Sequence, residues 1–164
     1  MSTAPQITER AEQPYVAVKA QVTMQNISAI ADRIPEVFGW LAAHGVAPAG
    51  APFLKYNVID MARQLEIEAG VPVAAAVDGD GSVLSGVLPA GRYATVIHVG
   101  HPAKLVDTTG ELLAWASSKG LAFDVSQTDA GERWGSRLEI YLTDPSQEPD
   151  LDKWETQLAF RLAG

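Results

Sequence analysis

Apolar and polar positions alternate along YVAVKAQVTM (15–24), with β-branched residues at many of the apolar sites, and this pattern predicts a strand. The period then changes. Ile30, Ile34, Val37, Phe38 and Leu41 recur at helical spacing, with Asn26 or Ser28 as a cap and Gly45 where a helix end takes a left-handed residue. Pro35 inside that run predicts a kink, or a helix start nearer Ile34. Two further strands are expected at 52–60 and 64–77, and DGDGS (78–82) reads as a turn. A second round follows: a strand from about Arg92, a helix through LVDTTGELLAWASSKGL (105–121), a strand at 138–142 and a last strand in KWETQLAFRLA (153–163). Residues 1–13 show no period and are expected to form a flexible tail.

The two rounds are similar in letters as well as in order. EVFGWLAAHGV (36–46) lies over ELLAWASSKGL (111–121) without a gap, with Glu, Trp and Gly identical. The expected fold is therefore α+β: a tandem duplication of a strand–helix–strand–strand unit, with repeat 1 at about 14–77 and repeat 2 at about 85–162, inside one domain of residues 14–164. Two such units paired about a pseudo-twofold axis give an antiparallel sheet with helices on one face and a ligand cleft on the other.

Composition narrows the function classes. The chain has 164 residues and a net charge of −8, which argues against a nucleic-acid binder, since such proteins carry basic stripes to neutralise phosphates. It has no Cys, so neither disulfides nor thiol chemistry enter. No apolar run reaches about 18 residues, and the first residues lack a basic-then-apolar leader, so a cytoplasmic protein with no membrane partner is expected.

Candidate chemistry centres on LEIYL (138–142). Alternation puts Glu139 and Tyr141 on one face, expected to line the cleft, and Leu138, Ile140 and Leu142 on the other, expected to meet the helices. Phe53 or Leu54, and Tyr56, occupy comparable positions in the first repeat, and Glu68, Tyr93, Trp134 and Trp154 are further candidates for the same cleft. A carboxylate among aromatic rings suits a hydrophobic or cationic aromatic ligand. The plainer reading makes Glu139 a solvated surface charge and Tyr141 a cross-strand packing residue. Trp40 and Trp115 are expected in the core, and His98 as a satisfied sheet residue. No metal-ligand set, phosphate loop or nucleophile elbow is present, and no cofactor is expected.

The order LPAGRYATVIHVGHP (88–102), a helix with LLAW and a closing Gly, LEIYLTDP (138–145) and a terminal strand near Trp154 resembles the GyrI-like small-molecule-binding domain, and EAGVPV (68–73) is similar to a segment of its first half. The resemblance covers about residues 14–162. It implies the duplicated fold, and a pocket between the repeats centred on a Glu two residues before a Tyr, which are Glu139 and Tyr141 here. Such domains form the effector-binding halves of multidrug-sensing activators of the MerR and AraC types, and others stand alone. The resemblance implies a stand-alone protein that binds drug-like molecules. The alternatives are a hydrolase of reactive cyclopropane-bearing aromatics with Glu139 as general base and Tyr141 beside it, or a modulator that binds gyrase or another protein. No helix-turn-helix precedes residue 14, so direct DNA binding is not expected. Oligomeric state stays open.

Overall fold

The computed structural model describes residues 2–163, and in it the chain joins the sheet before the first apolar run. Strand β1 (Gln6–Arg10) pairs with a later strand, and the Thr8 and Thr95 hydroxyls meet at 2.9 Å across that pairing. The flexible tail expected over residues 1–13 is corrected there. A strand at a sheet edge is held by its neighbour's free N–H and C=O groups, so it forms without an apolar stripe to announce it. Met1 and Gly164, the outer ends of the expected tail and domain, lie outside the described residues.

The alternating run becomes β2 (Gln13–Val22). A short helix α1 (Ser28–Ala31) precedes α2 (Ile34–Ala43), and Pro35 sits in the first turn of α2. Proline therefore starts this helix rather than kinking it, because the N–H it lacks has no acceptor at that position. Then follow β3 (Phe53–Ile59), β4 (Leu65–Pro72), β5 (Leu84–Leu88), β6 (Gly91–Val99) and helix α3 (Leu105–Ser118). The hairpin β7 (Val125–Thr128) and β8 (Gly131–Trp134) leads to β9 (Arg137–Tyr141) and β10 (Glu155–Arg161). Gly45 and Gly120 close α2 and α3 at φ of 69° and 68°, the left-handed conformation their positions require.

The strands form one antiparallel sheet in the order β1-β6-β10-β9-β3-β4-β2-β5, with the β7–β8 hairpin attached through β8 to β3. Outward from the central β9–β3 pair, β10 and then β6 follow on one side, and β4 and then β2 on the other. Helices α1 and α2 pack on β2 and β4, while α3 packs on β6. The central strands β10, β9 and β3 thus lie between the strands that carry α1 and α2 and the strand that carries α3. Among the described residues no helix is long and apolar enough to cross a membrane.

Two apolar clusters hold the layers together. On the helix side, Val16, Val18, Leu54, Ile67, Ala69, Leu158 and Phe160 pack with Ile30, Val37, Leu41 and Leu112. On the far side, Tyr15, Ala17, Phe53, Leu88, Tyr93, Leu138, Ile140 and Ala159 form a second cluster. Each fully buried side chain of this size contributes about 1.5–3 kcal/mol. This division corrects the expected orientation of β9. Leu138 and Ile140 turn away from the helices, and Leu142 is exposed. Glu139 and Tyr141 turn toward the helices instead of toward the opposite face. Trp40 is also half-buried rather than deep in the core. Its indole N–H donates to Asp80 at 2.8 Å and its ring stacks on His44 at 3.9 Å. Trp115 is likewise half-buried against the core. His98 is the satisfied sheet residue expected, with Nδ1 2.6 Å from the Thr108 hydroxyl.

Candidate ligand-binding site

The helix-side face of the central strands is built by register. Across from β9, Arg137 faces Phe160, Glu139 faces Leu158 and Tyr141 faces Thr156 on β10, while Leu54 on β3 lies beside Glu139 from the other side. Tyr56 leaves the same face of β3 as Leu54, two residues on. The Tyr141 hydroxyl donates to Glu139 Oε1 at 3.0 Å, and the Tyr56 phenol reaches the same carboxylate. Glu139 lies deep in the protein yet keeps part of its surface accessible, as a group at the bottom of a recess does.

That position sets its protonation. Loss of solvent raises the Glu139 pKa above the ordinary carboxylate range, against the opposing pull of the Tyr141 and Tyr56 hydrogen bonds and the nearby Arg137 charge. Burial pushes both phenols well above their usual range, and the Glu139 charge pushes them further, so they remain hydrogen-bond donors.

Arg137 was not anticipated from the sequence. Its guanidinium carbon lies 4.5 Å from the Phe160 ring centroid, 4.6 Å from that of Trp134 and 5.9 Å from that of Tyr56. Burial lowers its pKa, but an arginine starts so high that its charge persists. The signal was present in the alternation Arg137-Leu138-Glu139-Ile140-Tyr141, which puts arginine, glutamate and tyrosine on one face.

Beside Tyr141 there is a cleft of about 830 Å³. Ile34, Pro35 and Phe38 of α2 form one wall, with Tyr141, Leu142 and Trp154 opposite. Tyr141 therefore stands between the cleft and Glu139, with its hydroxyl turned back onto the carboxylate.

The residues expected to share one cleft fall into two groups. Glu139, Tyr141 and Tyr56 come together on the helix side. Trp134 packs on that side against Phe123 and Phe160, and adjoins the group through Arg137. Phe53, Tyr93 and Glu68 lie on the far side of the sheet. Phe53 packs edge-on to Tyr15 at 5.3 Å, and the Tyr93 hydroxyl donates to the Pro89 carbonyl at 2.7 Å. Glu68 accepts from the Tyr15 hydroxyl at 2.5 Å and from Asn57 Nδ2 at 2.6 Å, with Lys55 Nζ at 3.8 Å. It borders a separate, polar hollow of about 490 Å³ that Lys19, Lys55 and Arg133 also line. Among the described residues no group of His, Cys, Asp and Glu is arranged to hold a metal ion.

The fold has close relatives among solved structures. The chain superposes on the EcmrR C-terminal domain with a TM-score of 0.76 at 18% identity, covering 98% of this chain and 97% of that one. Against EcmrR in its DNA complex the TM-score is 0.78 at 19% identity, and the chain, 97% covered, spans 57% of that longer protein. SAV2435 bound to tetraphenylphosphonium gives a TM-score of 0.65 at 15% identity, covering 99% of this chain and 95% of that one. At these identities the likeness is one of fold. A search of curated proteins finds no significant match. The family of the GyrI-like small molecule binding domain matches residues 3–163, and the chain belongs to it.

Proposed function

We propose that this protein binds hydrophobic aromatic small molecules, of the drug or effector kind, in the groove between its helices, with Glu139 as the polar centre and Tyr56 and Tyr141 beside it. One observation carries this reading: a carboxylate held by two phenols, deep in the protein but not sealed, behind the wall of a cleft of about 830 Å³. That volume suits a drug-sized molecule, and apolar walls with few convergent polar groups are the usual make-up of such sites. Rings supply contact area that tolerates variation in shape, and the carboxylate with its phenols fixes orientation. SAV2435, solved bound to tetraphenylphosphonium, supports the same reading by likeness of fold.

The chain is best read as a duplication of β2–α1/α2–β3–β4 by β6–α3–β9–β10, about a pseudo-twofold axis between β9 and β3. The strand order supports this, since each unit runs second, third, first outward from the seam. Glu139 then lies at the seam, where one groove serves both units. We place its action in the cytoplasm, with the absence of Cys in support.

The test is a fluorescence titration with a panel of cationic, neutral and anionic aromatics, read through Trp154 in the cleft wall and Trp134 beside Arg137. Saturable binding by several unrelated compounds, mutual competition and altered affinities in Glu139→Gln are the expected results. A panel without a single saturable ligand, or identical affinities in the variant, refutes the reading. Mass spectrometry of the recovered ligands reports turnover, and altered ligand would make Glu139 a general base rather than an anchor.

A further inference from the structure

On the far side of the sheet, the polar hollow of about 490 Å³ is lined by an amine set among carboxylates. The chain has five lysines, of which Lys19, Lys104, Lys119 and Lys153 are exposed and Lys55 alone is half-buried. Lys55 leaves β3 on the same face as Phe53. Opposite it on β4 stands Glu68, with Glu66 two residues before. Lys55 Nζ donates to Asn57 Oδ1 at 2.5 Å and lies 3.8 Å from Glu68 Oε2, too far for a hydrogen bond. Burial lowers the Lys55 pKa below its ordinary value, against the pull of Glu68 and Glu66, and the charges of Arg133 and Lys19 lower it further. A lysine attacks a carbonyl carbon only in its uncharged form, and burial near other cations is how proteins supply that form.

We propose that Lys55 is a covalent attachment site for small polar aldehydes, held as an imine in this hollow. The amine's lone pair forms the C–N bond. The carbonyl oxygen takes up the two protons that the lysine ammonium gives up and leaves as water, and the nitrogen keeps one proton as an iminium. No oxidant or further reactant enters. Three features favour this product. The iminium retains one N–H, enough to keep the bond to Asn57 Oδ1. Its positive charge stays beside Glu68 and Glu66, so both carboxylates still face a cation. The hollow has the volume of a small-molecule site, and its polar lining suits an aldehyde that carries hydroxyl groups. The closed hydrogen bonds around Glu68 offer little to a non-covalent ligand, whereas a covalent bond needs no open donor. If Lys55 served only as the cation facing Glu68, its low exposure would make it the slowest of the five lysines to react.

The test uses the unaltered full chain, so it does not depend on a variant that folds. The protein is incubated at neutral pH with a limiting amount of glyceraldehyde and sodium cyanoborohydride, which reduces an iminium to a stable amine. Peptide mass spectrometry then reports the adduct on each lysine, in the native chain and in guanidinium chloride. Lys55 should carry about tenfold more adduct than the mean of the other four lysines, the excess that about 1.4 kcal/mol of iminium stabilisation gives. That excess should vanish when the chain is unfolded. Labelling of Lys55 no greater than the mean of the others overturns the proposal. An excess that survives unfolding overturns it too, since reactivity would then belong to the local sequence and not to the hollow. The hollow and the helix-side groove lie on opposite faces of the sheet, so either result leaves the reading of the groove unchanged.

Discussion

Replacing Tyr15 with Phe tests whether Glu68 is a structural carboxylate or part of a ligand site. Glu68 is 6% exposed, and its two oxygens take short hydrogen bonds from Tyr15 and Asn57, with the Lys55 ammonium 3.8 Å away. The Lys55 attraction is large in gross terms, about 4 kcal/mol at an effective dielectric near 20. Removing both charged groups from water costs a similar amount, so the pair is close to neutral in net stability. The Tyr15 bond is different, because a phenol loses little on desolvation and gains a charge-assisted bond worth about 1.5–3 kcal/mol. Tyr15→Phe keeps the ring packing on Phe53 and leaves one carboxylate oxygen without its donor. We expect a loss of about 2 kcal/mol in urea denaturation with an unchanged slope, and a fall in Tm of about 4–8 °C for a chain of this size. Ligand affinity in the helix-side groove should stay the same. A loss below about 0.5 kcal/mol would show the bond to be replaceable by water and refute the argument. A parallel loss of ligand affinity would return Glu68 to the binding site.

Two further outcomes follow from the same geometry. The pKa of Glu139 is raised in the folded protein, so its contribution to stability is full below the ordinary carboxylate range and is lost as pH rises through its folded value. The stability of the native chain relative to Glu139→Gln should therefore fall between acid and neutral pH in denaturation series, and a flat or rising difference would contradict the assignment. Gly70 on β4 lies under the ring of Phe53, where an added Cβ would come within 2.6 Å of Phe53 Cζ. Gly70→Ala should cost about 1–3 kcal/mol through overpacking, and Phe53→Leu should recover part of it. A neutral Gly70→Ala would show that the far-side cluster yields.

Much of the fold is legible in the chain because helix and strand periods differ. The alternating run gave β2, the helical run with Pro35 gave the start of α2, and the closing glycines marked both helix ends. Three things were not legible. Strands β1, β5, β7 and β8 are short or polar, and are held by neighbours that no local pattern reveals. The direction of β9 was read in reverse. Alternation tells which residues share a face, but both faces of this sheet are buried, so apolar character at Leu138 and Ile140 does not say which cluster receives them. Phe53 and Tyr56 differ by three positions and point to opposite sides, and Glu68 falls with Phe53. Grouping them by residue type overrode the parity that separates them.

The two buried carboxylates differ in how far their hydrogen bonds close, and that difference favours the helix side as the proposed site. Both lie in a sheet interior, both accept from a tyrosine, and both have a cation nearby. At Glu68 the cation lies within ion-pair distance and also donates to Asn57, which in turn donates to the carboxylate, so the hydrogen bonds close on themselves. A closed network of this kind rigidifies the sheet and leaves little for a ligand to satisfy. At Glu139 the cation is turned away onto aromatic rings, and the ring of donors and acceptors is left open. Burial raises the cost of ionising this carboxylate against the pull of its phenols and Arg137, and perturbed groups of this kind cluster at functional sites. The β9–β3 pair is the proposed place for such a site, since no helix makes its main contacts with those strands. Sequence periodicity can find a carboxylate in a strand, but only the partners of its neighbours separate a structural charge from one that awaits a ligand.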